Sequence, residues 1–116
     1  MDERWAYYSV IKHGVNLMVQ GRKEIMSRLA EHMDEFRRRG IKSLAIFGSV
    51  ARNEDTAASD VDLLVEFDRP LGLLEFFRVQ HDIETLLGVD RVDLVMPKAL
   101  KPSLRGKILA EAVNVA

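Results

Sequence analysis

Apolar residues recur every three or four positions from Arg22 to Arg39, at Ile25, Leu29, Met33 and Phe36, and that period draws one stripe along a helix. Glu24 with Arg28, Asp34 with Arg38 and Glu35 with Arg39 stand at i,i+4, where opposite charges meet on a helix surface. The arginines at 37–39 fall at the negative end of the helix dipole, which favours a solvated helix end over a nucleic-acid contact, and Gly40 follows as a stop. The pattern then shortens to apolar runs bounded by turn formers, Ser43 to Phe47, Val61 to Phe67 and Arg91 to Met96, which read as strands. Between the second and third, Leu73, Phe76, Phe77, Ile83, Leu86 and Leu87 mark an amphipathic helix over 71–87 that ends at Gly88. Beyond Pro102, Leu104, Ile108 and Leu109 share one side of a short helix over 103–112. The order helix, strand, short helix, strand, helix, strand, helix predicts an α/β fold with helices packed on a small sheet. Residues 1–21 hold Trp5, Tyr7 and Tyr8 without a sustained period and read as an N-terminal extension to a domain over 22–116.

Composition narrows the class. With 116 residues, 47% hydrophobic and 30% charged, the chain has material for one core, and it is too apolar to remain disordered. The absence of cysteine excludes disulfides and thiolate metal sites and points to a reducing cytoplasm. The apolar stretches at 44–47 and 61–65 fall far short of the roughly 20 residues of a membrane helix, and the acidic start is unlike a signal peptide. A net charge of −1 supplies no field to grip a long polyanion, so direct nucleic-acid binding is not expected. His13, His32 and His81 show no metal-ligand spacing.

The candidate chemistry lies in Phe47-Gly48-Ser49-Val50-Ala51-Arg52 and Ser59-Asp60-Val61-Asp62-Leu63-Leu64-Val65. Along a strand, residues i and i+2 face the same way, so Asp60 and Asp62 project together while Val61, Leu63 and Val65 face the opposite layer. Two carboxylates that close repel unless a cation sits between them, and hard divalent ions take oxygen ligands. Glycine at 48 permits close backbone approach to a ligand, and a short helix beginning near Ser49 turns free amides toward phosphate. Arg52, one turn on, offers a forked donor to phosphate oxygens. Asp93 interrupts the apolar run Val92, Leu94, Val95 and needs a partner there; beside Asp60 and Asp62 it serves as a metal ligand or as a base for an acceptor hydroxyl. Each feature alone has an ordinary reading: a strand-to-helix turn with a serine cap, a solvated strand start, an exposed edge acid. Their joint order on three strands favours a site.

Gly48-Ser49, ten residues, then Asp60-Val61-Asp62 and a later Asp93 resemble the signature of the polymerase-beta-type nucleotidyltransferase superfamily. Gly-Ser-Val-Ala-Arg with Ser-Asp-Val-Asp-Leu-Leu-Val is similar, more closely, to the minimal nucleotidyltransferases paired with HEPN-domain proteins in toxin–antitoxin modules, over residues 22–112. The resemblance implies a mixed sheet flanked by helices and, as cosubstrates, ATP with two Mg2+ ions. It implies a type VII-like antitoxin that moves AMP onto a tyrosine of the cognate HEPN ribonuclease toxin, within a hetero-oligomer, and silences it. By position it gives Asp60, Asp62 and Asp93 as the metal-binding and catalytic acids, and Gly48, Ser49, Arg52 and Ser59 as nucleotide contacts. Two other readings stand beside it: a non-catalytic antitoxin that acts by covering its partner, and a small-molecule nucleotidyltransferase.

Overall fold

The computed structural model describes residues 21–54 and 60–115; Ser59 and residues 1–20 of the expected extension lie outside them. The chain runs α1 (Arg22–Glu31), α2 (Met33–Arg38), β1 (Ile41–Phe47), α3 (Gly48–Ala51), β2 (Val61–Phe67), α4 (Leu73–Leu87) and β3 (Val92–Val95). A 3-10 turn (Pro97–Ala99), α5 (Pro102–Glu111) and β4 (Val113–Asn114) complete it. The strands form one sheet in the order β3-β2-β1-β4. β1 pairs antiparallel with both β2 and β4, while β2 and β3 run parallel, so the sheet is mixed.

Period-2 alternation divides the sheet into two faces. Leu44 and Ile46 of β1, Val61, Leu63 and Val65 of β2, and Val92 and Leu94 of β3 join the main core with Ile25, Leu29, Met33 and Phe36. Val79, Ile83, Leu86 and Leu87 of α4 close the same layer. On the other face Ala45, Phe47 and Leu64 form a smaller cluster against Val95, Leu100, Ile108 and Ala112. α5 therefore covers the second face through Ile108, while Leu104 and Leu109, expected on its packed side, are about half exposed.

The first helical stripe is a single apolar face carried by two helices. The helix breaks at His32, with φ −111° and ψ 9°, and the buried stripe continues through Met33 and Phe36. The bend redirects the arginines. Arg38 pairs with Glu35 at 2.9 Å and Arg37 with Asp34 at 3.5 Å, both at i,i+3 rather than the expected i,i+4. Arg39 reaches across to Asp82 at 2.6 Å and Glu75 at 3.1 Å, so it is an inter-helix tie and not a solvated end. Arg28 is buried, donating to the Leu86 carbonyl at 3.1 Å with Glu24 3.9 Å away, and so fastens α1 to the end of α4. Gly88 ends α4 in the left-handed region that glycine tolerates. No helix among the described residues is long and apolar enough to cross a membrane.

The two faces predict unequal costs of truncation. Phe36→Ala, which empties a fully buried site, lowers the unfolding free energy by about 3–5 kcal/mol. Leu104→Ala on the exposed side of α5 stays within about 0.5 kcal/mol. Urea titration of both variants checks the contrast.

Candidate active site

Strand register brings the acids together. Asp62 lies opposite Phe47 across the antiparallel pair and opposite Asp93 across the parallel pair. The same alternation that buries Val61 and Leu63 turns Asp62 and Asp93 onto the second face. Partial burial there, followed by repulsion from Asp93, a hydrogen bond with it and repulsion from Asp60, raises the Asp62 carboxyl from its ordinary 3.8 to about 6; Arg52 opposes the rise weakly. Asp60 sits just before β2 with its side chain 47% exposed, at the mouth of the pair. Among the described residues no three acidic or histidine side chains converge into a ready-made metal cage. The pair of Asp62 and Asp93 suits magnesium, which takes one or two carboxylates and completes its shell with substrate phosphates and water. Asp62, with Asp60 at the mouth and Asp93 in register beside it, marks where it would be held.

The turn after β1 abuts this pair. Gly48 has φ +74°, and a Cβ built there would collide with Oδ2 of Asp62. Only glycine lets the chain reverse this close to the carboxylate. Gly48 is itself the first residue of α3 and Phe47 holds the cap position with no side-chain cap, so a serine cap at 49 does not account for the turn. Arg22 donates from Nη1 to the Ala51 carbonyl at 2.8 Å and secures the end of α3. Arg52, expected to present an open fork to phosphate, is held by two carboxylates: its Nε donates to Glu54 at 2.9 Å and its Nη1 to Glu111 at 3.0 Å.

Four residues of this region escaped the sequence reading. Arg91 donates from Nε and Nη2 to Oδ1 of Asp93 at 3.2 and 3.1 Å and stands 3.9 Å from Asp60, a positive charge among the acids. The i,i+2 rule that aligned Asp60 with Asp62 also aligns Arg91 with Asp93, and could have found it. Glu111 accepts from the Gly48 amide at 3.0 Å. Gln80 donates to the Val92 carbonyl at 2.6 Å and Glu84 accepts from the Val92 amide at 2.9 Å. These two side chains of α4 satisfy the outer backbone groups of an edge strand one residue before Asp93, and so fix its height beside Asp62. No local pattern signals them.

A groove of about 590 Å3 lies elsewhere, against α4, lined by Arg39, Leu74, Phe77 and Asp82 among others. Its acids Glu75 and Asp82 are engaged by Arg39, whereas Asp62 and Asp93 face one another.

Asp62 makes a prediction about pH. Its folded-state value lies above its unfolded one, so its contribution to the stability of the metal-free protein is complete below about pH 4 and is lost as the pH rises through about 6. Urea midpoints measured between about pH 4 and pH 7 should fall more steeply for the wild type than for Asp62→Asn, and added magnesium should recover the loss chiefly at the upper end.

The nucleotidyltransferase domain family matches residues 27–115. Protein adenylyltransferase MntA of Thermococcus cleftensis is 43% identical over 94 residues, which span 80% of this chain and 94% of that protein. A solved structure described as that of a candidate minimal nucleotidyltransferase superposes with a TM-score of 0.70 at 38% identity, covering 81% of this chain and 95% of the other. A toxin–antitoxin structure determined with AMP-PNP shares the fold at a TM-score of 0.60 and 18% identity, over 75% of this chain and 72% of that one. A glycine turn packed on a strand-borne acid, a second acid in register beside it and these relatives together place the chain in the nucleotidyltransferase domain family, among its minimal members.

Proposed function

We propose that this nucleotidyltransferase is an antitoxin that transfers AMP from magnesium-bound ATP to a tyrosine hydroxyl of a HEPN-domain ribonuclease toxin and thereby silences it. The observation that carries the reading is the apposition of Asp62 and Asp93 against the Gly48 turn. A pair of half-buried acids that cannot both ionise comfortably calls for a divalent cation, and an adjacent glycine turn with an arginine calls for phosphate. The likeness to MntA, named as a protein adenylyltransferase, supports AMP as the group moved and a protein as the acceptor. The fold shared with a toxin–antitoxin protein bound to AMP-PNP is consistent with an antitoxin role and an adenine nucleotide.

In the proposed reaction the chain's residues position and hold charge. Asp60 and Asp62 would hold the triphosphate's metal, and Arg52 with the Gly48-Ser49 turn would steady the leaving pyrophosphate. Magnesium, when bound, neutralises phosphate charge as it builds on the leaving oxygens. Asp93 accepts the proton of the tyrosine hydroxyl as its oxygen forms a bond to the α-phosphorus in line with the breaking bond to the bridging oxygen of pyrophosphate. Arg91, bonded to Oδ1 of Asp93, orients that carboxylate. A net charge of −1 over the chain supplies no field to grip nucleic acid, which favours specificity through docking on a protein partner.

Incubation with magnesium-ATP and the protein encoded by the neighbouring gene, followed by intact-mass measurement of that partner, tests the reading. An AMP-sized adduct on a tyrosine is expected, and Asp60→Ala/Asp62→Ala should slow its appearance by about 10³-fold or more. If no adduct forms and the double variant still neutralises the partner, the chain acts by covering it and the transfer reading fails.

A further inference from the structure

We propose that Glu111 is a positioning residue for nucleotidyl transfer: its carboxylate joins the Gly48 amide to the Arg52 guanidinium and so sets the phosphate turn from the C-terminal helix. The proposal rests on the nucleotidyltransferase reading above and adds to it a residue that the signature Gly48-Ser49, Asp60, Asp62, Asp93 does not contain.

Both oxygens of Glu111 are committed. Oε1 accepts from the Gly48 amide at 3.0 Å and Oε2 accepts from Nη1 of Arg52 at 3.0 Å. Its side chain is only 18% exposed, although most of the helix it ends is exposed. The Gly48 amide first, and Arg52 after it, hold the Glu111 carboxyl below its ordinary range, so it is ionised and accepts both bonds at neutral pH. Glu54 takes Nε of the same guanidinium at 2.9 Å. Two of the three guanidinium nitrogens are thus fixed, and Nη2 has no partner among the described residues, which leaves one end of the arginine to meet a phosphate oxygen.

The anchor behind Glu111 is the sheet itself. Residues Val113 and Asn114 pair with Ile46 and Ala45, and the Val115 amide donates to the Leu44 carbonyl at 2.9 Å. Strand β1 therefore fixes the residue that caps the turn into which β1 runs. On its other side Gly48 is packed on Asp62. The turn is gripped between a metal-side acid and a helix-side acid, and displacement of either face shifts the amide and the arginine together.

A merely structural tie between α5 and α3 would alter stability alone. A positioning role makes a different set of results. Glu111→Gln keeps one oxygen for the Gly48 amide but turns an NH2 donor toward Arg52, so it should raise KM for ATP by an intermediate factor of about threefold, while Glu111→Ala, which loses both bonds, should raise KM by roughly tenfold or more. Thermal melts first establish that both variants are folded at the assay temperature. The effects of Glu111→Ala and Arg52→Ala on KM should be non-additive, because each removes the same arrangement. Binding of magnesium with a non-hydrolysable ATP analogue, measured calorimetrically, should follow KM. An unchanged KM and analogue affinity in folded Glu111→Ala overturns the proposal; a lower KM overturns it in favour of a carboxylate that competes with the triphosphate for the same donors. A wild type that neither binds the analogue nor transfers AMP removes the nucleotidyltransferase reading, and the proposal with it.

Discussion

Strand β2 carries two incompatible demands in alternate residues, and the architecture answers both. Val61, Leu63 and Val65 need a dry layer, while Asp62, one residue out of phase, needs water, a proton or a cation. A register slip of a single residue would exchange the two sets. The main core beneath β2 is continuous with α1, α2 and α4, and burying that many apolar side chains dominates any local cost at the acid. Asp62 is accordingly held in an environment it would not choose, with its carboxyl pushed toward neutrality by burial and by Asp93. The core's stability maintains an unfavourable electrostatic arrangement at its rim, and a metal-bound nucleotide is the kind of ligand that relieves it.

What was legible in the sequence were the features with a local cause. β2 was readable to the residue because alternation and turn formers bound it, and α4 was readable to its C-terminus because Gly88 adopts the left-handed geometry that stops a helix. Asp93 stood out as a charge in an apolar run, and register then put it beside Asp62. The break at His32 was invisible because the apolar stripe passes through it without losing phase. Arg39 was assigned to Glu35 because sequence reading sees only neighbours on the same helix; its actual partners lie 36 and 43 residues away. Strand β4 has two residues, too few for any periodic signal.

The site shows the same division. The candidate acids and glycine stand out by type and spacing, and the residues that hold them do not: Gln80 and Glu84 grip Val92, and Glu111 grips Gly48, from polar helix positions that carry no local signal. A charge on a helix surface carries no mark of which strand end it will meet. Arg91 is the exception, since the strand's own period delivers it to Asp93. Its presence also means that the acidic cluster is partly neutralised before any ligand arrives, which tempers the repulsion between Asp60 and Asp93.

The bond from Glu111 to Gly48 spans 63 positions of sequence, and that distance orders events during folding. Contacts within α1, α2 and α4 are available as soon as each helix is made, whereas closing a long loop must await its far end. During synthesis the acids can come into register once β3 has emerged, but the turn that faces them gains its bond to Glu111 only after β4 is laid against β1. The segment from Glu111 to Val115 therefore braces the turn beside the acids as well as the sheet edge.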